Sequence, residues 1–508
     1  MIRRPDGEGL KSLAREWGID LSVSEVSEYL DLADYMLAIV DGLEPDLVWS
    51  EHVSSRDPGG PLSADDDPLN AIVRRFSVKA DNPSGSLLAG KRIAVKDNIS
   101  VAGVPLTAGT KMLDDYIPSL DSTVVARILD QGGEIVASTN MDFLSCSAGG
   151  ESSSYGPIRN PIDPTKAAGG SSSGSAASLH YPWIDISLGC DQGGSIRLPS
   201  SWCGVIGLKP THGLVPYTGI VGLDHSLDFC GPMGRNISDV AALLQTIAGL
   251  DGNDPRQGKV APSDYVGAVR DAPRDFTGVR VGLIKEALSA DVGTTPGMIE
   301  ATNRFVAKLR DLGALVTEIS VPEHLLGGAI AFDIYAESLD QLLRSGGTTY
   351  ESDERSDPQL NLALGRGLKA RANDLSPQVK ILLMVGRYLN TEYHGAFYAA
   401  GQGRRQQLRE AYDLMLAKHD ILLLPTAPWT AHDIANDATI SEHVKRGWDN
   451  LSNTSIFDLT GHPALSIPAE EDAGLPAGMQ IVGKHGSEAQ LLSFAATVEA
   501  QLGWFPRV

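Results

Sequence analysis

Ala168-Gly169-Gly170-Ser171-Ser172-Ser173-Gly174-Ser175-Ala176-Ala177 is the first of two glycine- and serine-rich segments in this chain. The second, Asp191-Gln192-Gly193-Gly194-Ser195-Ile196-Arg197-Leu198-Pro199, follows an apolar, strand-like run from Ile184 to Cys190. Composition alone would make the first a flexible linker. Two features oppose that. It runs directly into Ser175-Ala176-Ala177-Ser178-Leu179, which reads as a helix start, so its N–H groups are expected to face a site as an anion trap. It is also paired with a second Gly-Gly-Ser at the end of a strand. Two such loops, each with a hydroxyl, suggest an oxyanion hole and a nucleophile. In the second loop, glycines before a serine let successive N–H groups converge into a nest. A carbonyl oxygen held there would be polarised, with Ser195 Oγ placed beside its carbon.

Serine attacks an amide only when a base takes its proton. The nearest histidines are His180, His212 and His225. His212 lies in a Pro-Thr-His-Gly turn, where histidine is more often structural. Lys96 ends an apolar run, Ile93-Ala94-Val95, where burial would lower its pKa towards use as a base. A strand-end lysine is nevertheless more often a surface residue, and spacing alone leaves the base open.

Working outward, Val26, Tyr29, Leu30, Ala33, Met36, Leu37 and Val40 recur at helical spacing, with Ser22 or Ser24 as cap and Gly42 as stop. Ser54 to Asp67 is polar and reads as a linker or surface loop. Residues 1–70 therefore read as a helical N-terminal piece. From Gly90 onward the pattern alternates strand, loop and helix. Lys91–Lys96, Glu134–Ala137, Val279–Ile284, Leu315–Ile319 and Ile421–Pro425 read as strands, Thr123–Leu129 and Ile299–Leu312 as helices. That alternation predicts an α/β fold with a sheet covered on both faces.

The 508 residues carry 42 Lys and Arg against 64 Asp and Glu, a net charge of −22. Such a surface repels phosphate backbones, so no nucleic-acid partner is expected. No apolar run reaches the ~18 residues that a membrane span needs. No apolar stretch follows Arg3-Arg4, which argues against a secretory signal. The four cysteines show no zinc-like spacing, so reduced thiols in a cytoplasmic protein are expected.

Taken together, these residues resemble the amidase signature family. The match includes Val95-Lys96-Asp97-Asn98, the Gly-Gly-Ser at Ser171 and the Gly-Gly-Ser before Ile196-Arg197. It extends to Gly207-Leu208-Lys209-Pro210-Thr211, Gly249-Leu250-Asp251-Gly252-Asn253-Asp254-Pro255-Arg256-Gln257 and Phe457-Asp458-Leu459-Thr460-Gly461-His462-Pro463. Two departures stand out. Ser173 replaces a glycine of the usual signature, and Cys146 stands where some relatives carry an aromatic pocket residue. The Asp-Gln-Gly-Gly-Ser form and the N-terminal piece resemble bacterial nitrile-pathway amidases, some of them enantioselective. In these the N-terminal helices, here residues 1–70, help build a homodimer, leaving 71–508 as the catalytic domain.

The resemblance implies the amidase signature fold, a large mixed β-sheet between helices. It also implies a triad of nucleophile Ser195, cis-peptide Ser171 and base Lys96, with the N–H groups of Gln192, Gly193, Gly194 and Ser195 as the oxyanion hole. It implies hydrolysis of a small hydrophobic carboxamide to acid and ammonia, with no metal or organic cofactor. Pocket residues are expected near Ser145 and Cys146, in the 320–340 region and at Ile456. The main alternative lies inside the family: a glutamine-hydrolysing subunit of a glutamyl-tRNA amidotransferase, against which Gln192 and the N-terminal extension speak. A Gly-x-Ser-x-Gly match at 170–174 would instead make Ser172 the nucleophile, but no β-branched strand precedes it. Gly85–Lys91 resembles a phosphate-binding loop, yet Arg92 stands where Ser or Thr must bind Mg²⁺.

Overall fold

The computed structural model describes residues 2–41, 56–347 and 357–505, in two compact units, Met1–His52 and Val53–Val508. In the first, α1 (Gly7–Glu16) is capped by Asp6, whose carboxylate accepts from the Gly9 N–H at 2.8 Å. α2 (Val23–Asp41) starts at Ser22, which exchanges hydrogen bonds with Glu25, the reciprocal arrangement that satisfies free N–H groups at a helix start. Of the apolar side chains that set its period, only Val26 is buried. Tyr35, Met36 and Ile39 are exposed, as is Trp17 after α1, at 84%. Gly42, the expected stop, lies outside the described residues.

The unit boundary falls before position 70. The polar segment ahead of it is built into the second unit: Arg56 pairs with Asp121 at 2.6 Å. The Asp67 carboxylate accepts from the N–H groups of Ala71 and Ile72, both at 2.9 Å. Buried polar contacts of this kind are what an interdomain linker lacks.

The second unit holds one sheet of eleven strands among the described residues. They are β1 (Ile72–Val78), β2 (Arg92–Lys96), β3 (Glu134–Thr139), β4 (Ile186–Asp191), β5 (Ile206–Lys209), β6 (Phe229–Gly234), β7 (Arg280–Ile284), β8 (Leu315–Ile319), β9 (Ile421–Pro425), β10 (Ala464–Asp472) and β11 (Leu475–Val482). Their spatial order is β1-β3-β2-β4-β6-β5-β10-β11-β9-β7-β8. β2 runs parallel to β3 and β4, and β7 parallel to β8 and β9, while β4–β6 and β10–β11 are antiparallel. The sheet is mixed, as the α/β pattern predicts.

Period-two alternation sends side chains to two cores. Ile421 and Leu423 enter one cluster and Leu422 and Leu424 another, which is why this strand reads as a continuous apolar run. On β2, Ile93 and Val95 join the larger cluster, with α3 (Thr123–Asp130) and the helices Ile237–Ile247, Pro296–Asp311 and Glu488–Leu502. Ala94 faces the other way, towards α4 (Ser173–Ala177) and α5 (Arg197–Cys203). Lys96, two residues on, shares that face. The strand thus carries a lysine beneath the two serine-rich loops.

Candidate active site

Lys96 is fully buried, and its Nζ lies 2.7 Å from Ser171 Oγ and 3.4 Å from the Cys190 carbonyl. Burial pushes the amine below the ordinary lysine range, and nearby Asp142 and Asp191 only partly oppose this. Removing an ammonium from water disfavours its charged form. An amine whose proton is loosened by burial, set against a hydroxyl, is placed as a base in contact with its proton source.

Ser171 follows a cis peptide bond from Gly170. A side chain on Gly170 would begin 1.9 Å from Asp142 Oδ2, so only glycine fits. The Gly170 N–H donates to the Ala148 carbonyl at 2.7 Å, and the Ser171 carbonyl accepts from the Asp142 N–H at 3.2 Å. Asp142 thus shapes the first loop from behind. Two amides around the start of α4 are consumed within the protein: Ser172 N–H donates to the Ser195 carbonyl at 3.1 Å, and Gly174 N–H to the Asn140 carbonyl at 2.9 Å. Neither is available to the expected anion trap. The loop instead clasps the second loop, holding Ser171 beside Ser195.

Ser172 is removed as a nucleophile. Its Oγ donates to the Cys190 carbonyl at 2.9 Å and accepts from the Cys190 N–H at 3.1 Å, so it replaces a ladder partner for β4. The Gly85–Lys91 segment is a turn ahead of β2, with the Gly85 N–H given to the Asp130 carbonyl. His180 and His212 are bound to the carbonyls of Cys203 and His225, and burial drives His212 down to about 3. Neither lines the cavity described below.

Ser195 is buried but borders that cavity, and no hydrogen bond joins its Oγ to Ser171. The structure brings Lys96 and Ser171 into contact and leaves Ser195 Oγ facing open space. Among the described residues nothing accepts from the N–H groups of Gln192, Gly193 or Ser195. Gly194 departs from expectation: its N–H donates to Asp191 Oδ1 at 2.6 Å. The hole therefore has three uncommitted donors instead of four. Gly194 takes φ +141°, and a side chain there would meet Thr454 Oγ1 at 2.2 Å. That hydroxyl donates to the Gly193 carbonyl at 2.6 Å, fixing the turn from the opposite wall.

Asp191 and Arg197 brace the loop without lining the cavity. The Asp191 carboxylate accepts from Gly194 N–H, Ile196 N–H and both Nε and Nη2 of Arg197. Arg197 also donates to Asp458 Oδ2 at 2.6 Å and Gln480 Oε1 at 2.7 Å. All three charged groups have no exposure. Burial works to raise the Asp191 carboxyl, but the guanidinium outweighs it and holds the group below the usual carboxylate range. Asp458, buried beside an ionised Asp191, is pushed well above that range. Arg197→Met leaves Asp191 uncompensated and should cost about 3–5 kcal/mol, read as a fall in the urea midpoint. An unchanged midpoint would mean that other contacts hold the loop.

The cavity has a volume of about 550 Å³, within the size that takes a small ligand. Its floor is Gln192, Gly193 and Ser195. One wall is the helix Gly327–Arg344, through Gly328, Ala331, Phe332, Tyr335 and Leu339, a single stripe at helical spacing. Ser145, Cys146, Leu382, Trp429 and Trp448 also line it, and Trp448 packs edge-on to Phe332 with ring centroids 5.6 Å apart. Leu144 and Ser145 both hold left-handed backbone, φ 46° and 60°, an unfavourable conformation for residues with side chains that clusters at functional sites. Ile456 is not a lining residue. It is fully buried in the core cluster with Leu227, Ile284 and Ile330, against Gly327, while its neighbour Ser455 borders the cavity. Trp429, Trp448 and the Ala290–Gly293 turn carry no local signal that places them here. They converge from loops far apart in the chain.

Among the described residues the lining contains no Lys, Arg or His, and its only charged residues are Asp291 and Asp449. A buried lysine–serine contact, a second serine on a nest of free amides and an apolar chamber above it form a site for acyl transfer. The chain belongs to the amidase family, whose sequence model matches residues 70–492, and it is an amidase-signature hydrolase. It is 36% identical over 452 residues to an enantioselective amidase of Rhodococcus rhodochrous, covering 87% of this chain and 85% of that one. It is 34% identical over 489 residues to a glutamyl-tRNA(Gln) amidotransferase subunit from Microcystis aeruginosa, covering 96% of each. The crystal structure of the corresponding amidotransferase subunit from Thermotoga maritima superposes with a TM-score of 0.72 at 26% identity, covering 87% of this chain and 90% of that one. No helix among the described residues is long and apolar enough to cross a membrane.

Proposed function

We propose that this protein hydrolyses small, mainly apolar carboxamides to the carboxylic acid and ammonia. The observation that carries this reading is the buried Lys96–Ser171 contact of 2.7 Å beside a Ser195 that borders a chamber without cationic residues. Ser171 gives its proton to neutral Lys96 Nζ and takes one from Ser195 Oγ, which attacks the amide carbon. The oxyanion rests on the free N–H groups of Gln192, Gly193 and Ser195, where loss of one donor costs about 3–4 kcal/mol. Ser171 then passes a proton to the leaving nitrogen as Lys96 returns its own to Ser171, and ammonia departs from an acyl-enzyme on Ser195. Water, deprotonated through the same relay, releases the acid and restores Ser195.

Glutamine is the substrate of the competing reading, and the high coverage by amidotransferase subunits is what favours it. Its α-ammonium could pair with Asp291 or Asp449, but its α-carboxylate would find no cation among the described lining residues. A charged group buried without a partner is strongly disfavoured. A panel measuring ammonia release from aliphatic, aryl and 2-arylpropionic amides and from L-glutamine separates the two. The expected result is turnover of apolar amides, with kcat/KM for glutamine lower by about a hundredfold or more. Release from glutamine alone would overturn the proposal.

A further inference from the structure

The floor and two walls of the chamber meet at one point, over Gly193. A side chain on Gly193 would begin 3.1 Å from Tyr335 Oη and 3.9 Å from Ser455 Cβ. Neither hydroxyl has a hydrogen-bond partner within the described protein, and neither does Gln192 Oε1. Gln192 is held from its other end, Nε2 donating to Tyr217 Oη at 2.8 Å. Gln192 and Ser455 are each buried, with 2% exposed. Buried hydrogen-bonding groups almost always have partners, and three without one, on three separate elements around the same glycine, mark a polar spot in the chamber; Ser145 Oγ, beside Cys146, is a further unpartnered lining hydroxyl away from that glycine. Cys146, Phe332, Leu382 and Trp448 are among the other lining residues and offer a substrate contact area with little hydrogen bonding.

We infer that Tyr335, Ser455 and Gln192 form a subsite for an uncharged hydrogen-bonding substituent, a hydroxyl or acylamino group, on the carbon next to the scissile carbonyl. This rests on the amide-hydrolysis reading above. A carbonyl oxygen on the N–H groups of Gln192 and Gly193 puts its α-carbon near that glycine, around which the three groups gather. Tyr335 and Ser455 can donate, and Gln192 Oε1 and Ser455 can accept, so the set matches a group that does both. Burial, with the nearby Asp458 and Asp191, raises the phenol well above its usual range, so Tyr335 remains a donor throughout neutral pH. Three groups gathered around one glycine also discriminate the two enantiomers of such a substrate, because only one of them turns its substituent towards that spot.

The test compares 2-hydroxy-2-phenylacetamide with 2-phenylpropionamide, which differ by hydroxyl for methyl at that carbon, as resolved enantiomers. In the wild-type protein the better hydroxy enantiomer should exceed its methyl counterpart in kcat/KM. Tyr335→Phe should lower that ratio about tenfold, the size of one lost hydrogen bond. Ser455→Ala, a smaller change on another wall, should lower it in the same direction and keeps the test open if the phenol is needed for folding. A ratio unchanged in both variants, or a loss shared equally by both amides, would overturn the subsite alone. A wild-type protein silent on both amides but active on glutamine would refute the amidase reading, and the subsite with it.

Discussion

Ser195→Ala is expected to lower kcat on a good amide by about a millionfold, as removal of a serine nucleophile does elsewhere. Its thermal midpoint should be unchanged. The reason lies in its contacts. Ser195 is tied into the fold through its backbone, its carbonyl accepting from Ser172 N–H at 3.1 Å. Its hydroxyl makes no hydrogen bond among the described residues. Alanine keeps the backbone contact and deletes only the atom facing the cavity. A structural role would show as a shifted melt with residual activity proportional to folded protein. A nucleophile shows an undisturbed melt and no turnover, together with loss of the acyl-protein mass that the wild type accumulates when quenched during turnover. Activity retained at a tenth of wild type would remove Ser195 from the mechanism.

How much of this is visible in the chain differs from residue to residue, for physical reasons. The α/β alternation is legible because β9 is buried on both faces and reads as an unbroken apolar run. Lys96 is legible as the end of a strand, but its burial is not. Lysine at a strand end is ordinarily solvated, and what encloses this one is the pair of loops from 168–173 and 191–195 closing over β2. Gly194 reads as an oxyanion donor because glycine frees the backbone. Its N–H is in fact drawn away by Asp191, a carboxylate whose ionisation depends on Arg197 and, through it, on Asp458, more than 250 positions away. The resemblance places Ile456 in the pocket and passes over Ser455. On a helix of about 3.6 residues per turn, adjacent positions point some 100° apart, so a one-residue misjudgement exchanges core for cavity. The stripe at 328, 331, 332, 335 and 339 is within reach of periodicity. Trp429 and Trp448 are not, since only tertiary folding brings their loops to the site.

Lys96→Met is the sharper test of the proposed relay, because here function and stability should move in opposite directions. Methionine nearly fills the volume of the lysine stem and removes the amine. Without a base Ser171 has nowhere to send its proton, and kcat should fall by about four orders of magnitude or more. The fold, by contrast, should gain. Burial lowers the folded-state pKa of Lys96, so at neutral pH the unfolded chain holds this proton at least as firmly as the folded one. The sign follows from linkage: where the unfolded state binds more protons, stability rises with pH. The penalty for burying Lys96 is therefore fully present below its folded pKa. It fades as pH climbs from there towards the ordinary lysine value near ~10.4. Urea denaturation should find the methionine variant at least as stable as wild type near neutrality, with the advantage shrinking on the alkaline side. Wild-type kcat/KM should rise with pH over the lower part of the same window, as the amine becomes neutral, with a midpoint below the ordinary lysine value. A methionine variant that is inactive and markedly less stable would assign Lys96 to the framework of the loops, and the base would have to be sought elsewhere.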